Sequence, residues 1–365
     1  MSTPATAPVP APTTPLARML ISLAASVAIL AGMRAAAPIL GPIFIALVIT
    51  IAWSPASERL RRRGWRPSIA ALTGIVLGIL VIALFVGLVW ASLIQLQDKL
   101  PGYAPRIAAI QELIRGKLAD LPFDTRGVFS SEIVQPAAIV GYGLTTIRRI
   151  SETAGTIVLL MLLMAFMMLE AMRFPAKLRT ALQARREGEG VLFTQFGESI
   201  RSYVGINAIF GAIAAVINTI LLLALGVDFA ILWGVLSFLL SFLPNIGFII
   251  AMVPPAAMAL VEYGFTRSLI VVVAYVIINF IVDNGIKPRF VGAQVDLSPL
   301  VVVLSLVFWG WLLGPMGALV AVPLTIGLKF FFQSFEESLW IAQLMSDAGT
   351  VPPAPLPDEG GTAPL

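Results

Sequence analysis

Thirty-one consecutive residues, Pro67 to Gln97, carry no charge. As a helix that run is about 46 Å long, against about 30 Å of bilayer hydrocarbon. Phe229 to Val261 and Leu297 to Leu328 are charge-free as well. Charged residues make up 12% of the chain, about half of the roughly 25% typical of soluble domains. The expected fold class is all-α: a polytopic membrane protein of about eight transmembrane helices, with the lipid bilayer as its first partner. The chain has no cysteine and no histidine. That removes thiol chemistry, imidazole bases and the commonest metal ligands. No motif pairs a nucleophile with a base, so neither an enzyme nor a cofactor is expected.

Residues 1–15 are rich in Pro, Ala and Thr and read as a disordered tail. Two apolar segments follow, Met19 to Met33 and a second ending near Trp53, punctuated by Pro38 and Gly41-Pro42. They predict a helical hairpin with a tight turn. A basic loop, 54–67, carries five arginines and one glutamate. Being short and lying between two spans, it is read as an orientation signal that stays in the cytoplasm, not as a nucleic-acid site. Residues 16–97 thus form an N-terminal pair of spans and a long third one.

Residues 98–150 form the largest insert between spans, extracytoplasmic by parity. Ile107, Ile110, Leu113, Ile114 and Leu118 recur at helical spacing there, and a second helix is expected to begin near Ser131. The span Gly155 to Leu169 follows, then a charged amphipathic segment, 171–201, on the cytoplasmic side. The transport core is expected over 151–335. A tail at 346–365, rich in Pro, Gly and Ala, closes the chain, with both termini cytoplasmic.

Two later apolar segments are broken. Phe229 to Val261 is interrupted by Pro244, Pro254 and Pro255, so that its first part, to Leu243, is about 22 Å long as a helix. Ser298 to Leu313 gives about 24 Å before the break Gly314-Pro315-Met316-Gly317. Neither crosses the hydrocarbon core. The breaks L-P-N-I-G-F-I-I-A-M-V-P (243–254) and G-P-M-G-A-L-V-A-V-P (314–323) form a weak repeat. Paired Gly/Pro-interrupted segments point to a transporter's binding site, because a broken helix frees backbone groups that must face protein or a watery cavity. Ordinary proline kinks are the other reading.

Polar residues near these breaks are the site candidates. Asn207 and Asn218 lie eleven residues apart, on one helix face; they either hydrogen-bond between helices or line a polar path. Asn279 and Asp283 are four apart and share a face. Asp283 could pair with Lys287, but Pro288 disfavours the α conformation at Lys287, so the helix is expected to end there. Asp283 and Asn284 are then placed at the cytoplasmic end of a span. Asp228 and Glu262 flank the first break. Asp283, Asp228 and Glu262 are the carboxylates that could couple transport to a proton or cation.

Three stretches resemble signatures of the autoinducer-2 exporter family of bacterial permeases: P-N-I-G-F-I-I-A-M-V-P (244–254), D-N-G-I-K-P-R-F-V-G (283–292) and the long run from Leu297 to Thr325. The third is especially similar to the subgroup that includes autoinducer-2 transporters. The resemblance covers roughly 16–335. It implies a multi-pass inner-membrane transporter with re-entrant hairpins, assembled as a homo-oligomer, with a pentamer and an elevator-like movement. By motif position Pro244, Asn245 and Gly247 would form the first turn, Asn284, Pro288 and Gly292 the cytoplasmic loop, and Gly314, Pro315 and Gly317 the second turn. Lys287 departs from the acidic residue that relatives often carry there. The expected function is export of a small polar molecule, autoinducer-2 or a related metabolite. The alternatives are a sodium (cation)/proton antiporter and a non-transporting scaffold presenting the 98–150 insert.

Overall fold

The computed structural model describes residues 14–118, 136–152, 154–171, 177, 189–287 and 297–347. Pro288, Gly292, the expected helix start near Ser131 and nearly all of both tails lie outside these residues. Among the described residues there is no strand. The all-α expectation holds, and five helices among the described residues are long and apolar enough to cross a membrane.

Helix α1, Pro15–Ala35, starts at Thr14, whose hydroxyl oxygen accepts from the Ala17 N–H. A single residue, Ala36, separates it from α2, Ala37–Arg62. The turn therefore precedes Pro38, which sits in the first turn of α2, where a helix needs no N–H from it. The basic loop is shorter than its 54–67 bounds, because α2 runs through Pro55 to Arg62. Arginines complement the negative end of a helix, and Glu58 pairs with Arg61 and Arg62. Only Arg63 to Arg66 remain to turn the chain into α3, Pro67–Lys99. The indole N–H of Trp53 donates to the Gly74 carbonyl across α2 and α3 at 3.0 Å.

After α3 come a 3-10 turn, Leu100–Tyr103, and α4, Ala104–Leu118. Helices α5, Pro136–Glu152, and α6, Ala154–Ala171, follow. Ala46, Ile75, Met164 and Met168 knit α2, α3 and α6 together. The 36-residue α7, Glu189–Ala224, merges the end of the expected amphipathic segment with the next span.

Both broken segments fold as helical hairpins. In the first, α8 (Ala230–Leu240) and α9 (Gly247–Tyr263) are joined by a six-residue tip. Helix α8, at about 16 Å, is far shorter than the hydrocarbon core. Asn245 turns the tip with φ at 64°, a left-handed conformation that asparagine tolerates better than most residues. In the second, α11 (Pro299–Leu313) leads through Gly314, at φ 70°, into a short α12 (Pro315–Leu319) and then α13 (Ala321–Gln333). Between them runs α10, Phe265–Phe280, extended by a π-turn over Ile281–Ile286. Helix α14, Leu339–Met345, closes the described chain.

The two hairpins share a packing device. A Cβ at Gly247 would overlap the Leu240 carbonyl oxygen, and one at Gly317 would overlap that of Trp309. Backbone cannot yield as a side-chain tip can, so each glycine sets how closely its hairpin arms approach. Gly247→Ala and Gly317→Ala are each expected to lower stability by about 1–3 kcal/mol. Gly87→Ala, in open space on α3, should instead leave it level or raise it slightly. Thermal unfolding in detergent distinguishes these outcomes.

The hairpins also touch. Leu243, at the first tip, packs against the cluster of Leu306, Trp309, Leu312, Leu313 and Ala321 in the second. Residues of α1 and α2, including Leu30 and Phe44, cover the same cluster. The second hairpin therefore stands behind the first and braces its tip.

Candidate functional site

A cavity of about 520 Å³ opens between α7, the first hairpin and the end of α10. Helix α7 supplies Asn207 and Asn218, confirming their common face, and the small Gly211 between them. The hairpin tip supplies Pro244 and Asn245, and α10 with its π-turn supplies Asn279, Asp283, Asn284 and Lys287. Asn245, Asp283 and Asn284 are exposed and form the rim. Asn218, 1% exposed, and Ser237, 8% exposed, lie at the inner end. Rise along α7 from Asn207 to Asn218 puts that depth at about 16 Å.

The π-turn corrects one expectation. Lys287 adopts φ −54°, ψ −44°, a helical conformation, despite the proline after it. The preference of a pre-proline residue for extended backbone is overridden by what its ammonium gains. Lys287 Nζ donates to Asn207 Oδ1 at 2.9 Å and lies 3.4 Å from Asp283 Oδ1. The Asp283–Lys287 pair thus forms, and Lys287 ties the end of α10 to α7 across the rim. Both amide atoms of Asn207 have a partner, since its Nδ2 donates to the Tyr203 carbonyl.

Other amides are only partly used. Asn279 and Asn284 donate to carbonyls one turn back on their own helix, those of Tyr275 and Phe280. Asn218 makes no hydrogen bond through either amide atom. Ser237 Oγ and Tyr275 Oη make none of good geometry either, but these two buried hydroxyls lie close enough to interact with one another. Buried polar groups are almost always paired. An amide at the inner end of a cavity, without a partner in the protein and with the Ser237 hydroxyl also on the lining, is positioned to bind something that enters it.

Helix α7 holds the tip in place. Tyr203 Oη donates to the Phe242 carbonyl at 3.1 Å, and Ser241 Oγ donates to the Phe238 carbonyl beside Gly211. Gly211 has no room for a side chain against Ser241, which lets α7 approach the tip closely.

Several candidates lie elsewhere. Gly247 holds the hairpin arms together and does not line the cavity. Gly314, Pro315 and Gly317 belong to the bracing hairpin. Asp228 and Glu262 meet at the base of the first hairpin, where Asp228 pairs with Lys99 at 2.9 Å. Residues not singled out from sequence include Ser237 and Ser241, four apart in α8 and just beyond it. Small polar residues at that spacing in an apolar helix are a readable signal for a face turned away from lipid. No cluster of acidic side chains suited to a metal occurs among the described residues.

Comparison with known proteins agrees with this architecture. The family model of the AI-2E family transporter matches residues 23–337. The "AI-2 transport protein TqsA" of Escherichia coli K12 is 33% identical over 332 residues, covering 90% of this chain and 96% of the relative. A candidate transport protein of Haemophilus influenzae is 33% identical over 342 residues, covering 91% and 97%.

Proposed function

The chain belongs to the AI-2E transporter family, and on that premise we propose that it exports a small, uncharged, polar solute through the cavity between α7 and the first hairpin. Autoinducer-2 or a related metabolite is the proposed cargo; one relative is named for autoinducer-2 transport. The observation that carries the reading is the unpartnered Asn218 amide at the inner end, with the Ser237 hydroxyl on the same lining. An amide donor and acceptor beside a hydroxyl suit a solute bearing hydroxyl or carbonyl groups. The charged groups on the lining, Asp283 and Lys287, neutralise one another, so the cavity offers a charged solute no unpaired counter-ion.

Orientation supports loading from the cytoplasm. Arg201 on α7 donates to Ile51 O and Ser54 Oγ, near the arginine-rich end of α2. The cavity rim at Asn207 lies six residues, about 9 Å, further along α7. The positive-inside rule assigns that end to the cytoplasm and the 98–150 insert to the opposite side. The hairpin arms, too short to cross the core, fit re-entrant segments entering from these two sides.

Cation/proton exchange fits less well. Asp283 and Asp228 each already hold a lysine ammonium, so a coupling ion at either would have to displace a lysine, and Glu262, which holds none, is not on the cavity lining. Reconstitution of the full chain into liposomes tests the proposal. Saturable flux of autoinducer-2, driven by neither a sodium gradient nor a proton gradient, is the expected result. Sodium-driven proton movement, or no saturable flux of any small polar solute, would overturn it. In the latter case the scaffold reading of the insert stands.

A further inference from the structure

Lys99, Tyr103, Asp228 and Glu262 converge where α3, α7 and α9 end, at the base of the first hairpin and away from the cavity rim. Tyr103 Oη lies 2.5 Å from Asp228 Oδ2 and 2.7 Å from Glu262 Oε1. A phenol carries one proton, and ionised carboxylates only accept. One hydroxyl hydrogen cannot serve two carboxylate oxygens at those lengths. Lys99 Nζ, 2.9 Å from the same Asp228 Oδ2, favours the ionised form of Asp228, to which Tyr103 then donates. The second contact closes when Glu262 is protonated and donates to Tyr103 Oη. No cation pairs with Glu262 among the described residues, and its other oxygen accepts the Asp228 backbone N–H at 3.2 Å.

We propose that Glu262 binds a proton shared through Tyr103 with Asp228, and that this proton latches the junction of α3 and α4 onto the base of the hairpin whose tip walls the cavity. The proposal does not depend on which solute the cavity takes. Glu262 lies fifteen residues along α9 from Gly247 at the tip, so a change at the base is carried by one helix to the cavity wall. The hydrophobic floor is already shared, since Tyr103, Val227, Phe229, Trp233 and Ala259 pack in one cluster.

The surrounding charges leave this proton in place. Arg106 on α4 sits 5.8 Å from the centre of the Tyr103 ring, and Lys99 Nζ sits 5.6 Å from that of Phe229. On α10, Arg267 stacks on Tyr263 at 4.0 Å and donates to the Leu225 carbonyl. Tyr263 Oη donates to the Gly226 carbonyl. Asp98 on α3 and Arg148 on α5 are exposed. Burial, with the Asp228 charge, raises the Glu262 carboxyl above its ordinary range, against the lowering that hydrogen bonds from Tyr103 and the Asp228 N–H give while Glu262 is ionised; once Glu262 is protonated, the Tyr103 contact reverses and holds its proton. Partial burial would raise Asp228 too, but hydrogen bonds from Tyr103 and Lys99 outweigh it and hold that carboxyl low. The two groups are driven apart, one to keep the proton and one to stay ionised. A group with a raised value contributes its contact at low pH and loses it as the pH rises through that value, so the latch opens on the alkaline side.

Infrared titration of the full chain in liposomes reads the proton directly. The carboxylic-acid carbonyl band present in wild type and absent in Glu262→Gln should have a midpoint above the ordinary glutamate value of about 4.3. Tyr103→Phe, which removes the hydrogen-bond acceptor, should lower it. Spin labels on Gly102→Cys and Phe265→Cys, in a chain that has no native cysteine, report the latch. Their separation should broaden above the midpoint in wild type and stay narrow at every pH in Glu262→Gln, because the glutamine amide donates to Tyr103 permanently. A midpoint at the ordinary value, or a pH response of the separation that survives in Glu262→Gln, would overturn the proposal. Should Glu262→Gln fail to fold, the midpoint in Tyr103→Phe decides.

Discussion

Replacing Asn218 with leucine is expected to stabilise the protein and to stop its transport. Both parts follow from one fact: this side chain is 1% exposed and neither of its amide atoms has a partner. Burying an unpaired amide costs about 1–3 kcal/mol on protein mutational scales. Leucine has nearly the same shape and no polar atom, so most of that cost is recovered, and the thermal midpoint in detergent should rise. A solute that used the amide loses a hydrogen bond and leaves its own polar group desolvated. Since 1.4 kcal/mol is a factor of ten, flux should fall about tenfold or more. Ser237→Ala should move both quantities in the same directions by less. A structural asparagine would behave oppositely, losing stability and leaving flux per folded molecule unchanged. A gain in stability with a loss of function is what a site held open for a ligand predicts.

Much of the scaffold was legible in the sequence because hydrophobic length and proline placement act locally. The two broken segments became hairpins at the expected residues, and the spacing of Asn207 and Asn218 gave their shared face. What periodicity cannot encode is a partner. Both hairpins carry the same glycine-against-carbonyl device at Gly247 and Gly317, so nothing in the repeat itself distinguishes cavity wall from brace. That difference arises from what packs behind each: α7 and α10 leave a gap beside the first, whereas α1 and α2 fill the space around the second. The cluster of Tyr103, Asp228 and Glu262 joins residues up to 159 positions apart, beyond the reach of local spacing. Lys287 departs from the local expectation for a related reason. The pre-proline rule weighs only neighbouring sterics, whereas the conformation found here is held by Asn207, eighty positions away.

Lys287→Glu should have the second large effect, and its size depends on that long-range tie. Lys287 donates to Asn207 Oδ1, and Asn207 is 4% exposed. Without the ammonium that oxygen is left without a donor, at a cost of about 1–3 kcal/mol. Glutamate adds a second carboxylate one turn from Asp283 on a rim that is partly exposed, where like charges on a helix cost a few tenths of a kcal/mol more. The end of α10 then loses its hold on α7. Flux should fall steeply, and Asn245→Cys, on the rim beside it, should react faster with a polar maleimide. Lys287→Met should show the loss of the tie without the repulsion. Combining it with Asn207→Leu removes both partners at once, so the double variant should cost clearly less than the sum of the two single ones, by an interaction energy of about 0.5–3 kcal/mol. Additive costs would mean that the ammonium and the amide do not depend on each other, and would rule out the tie between the end of α10 and α7.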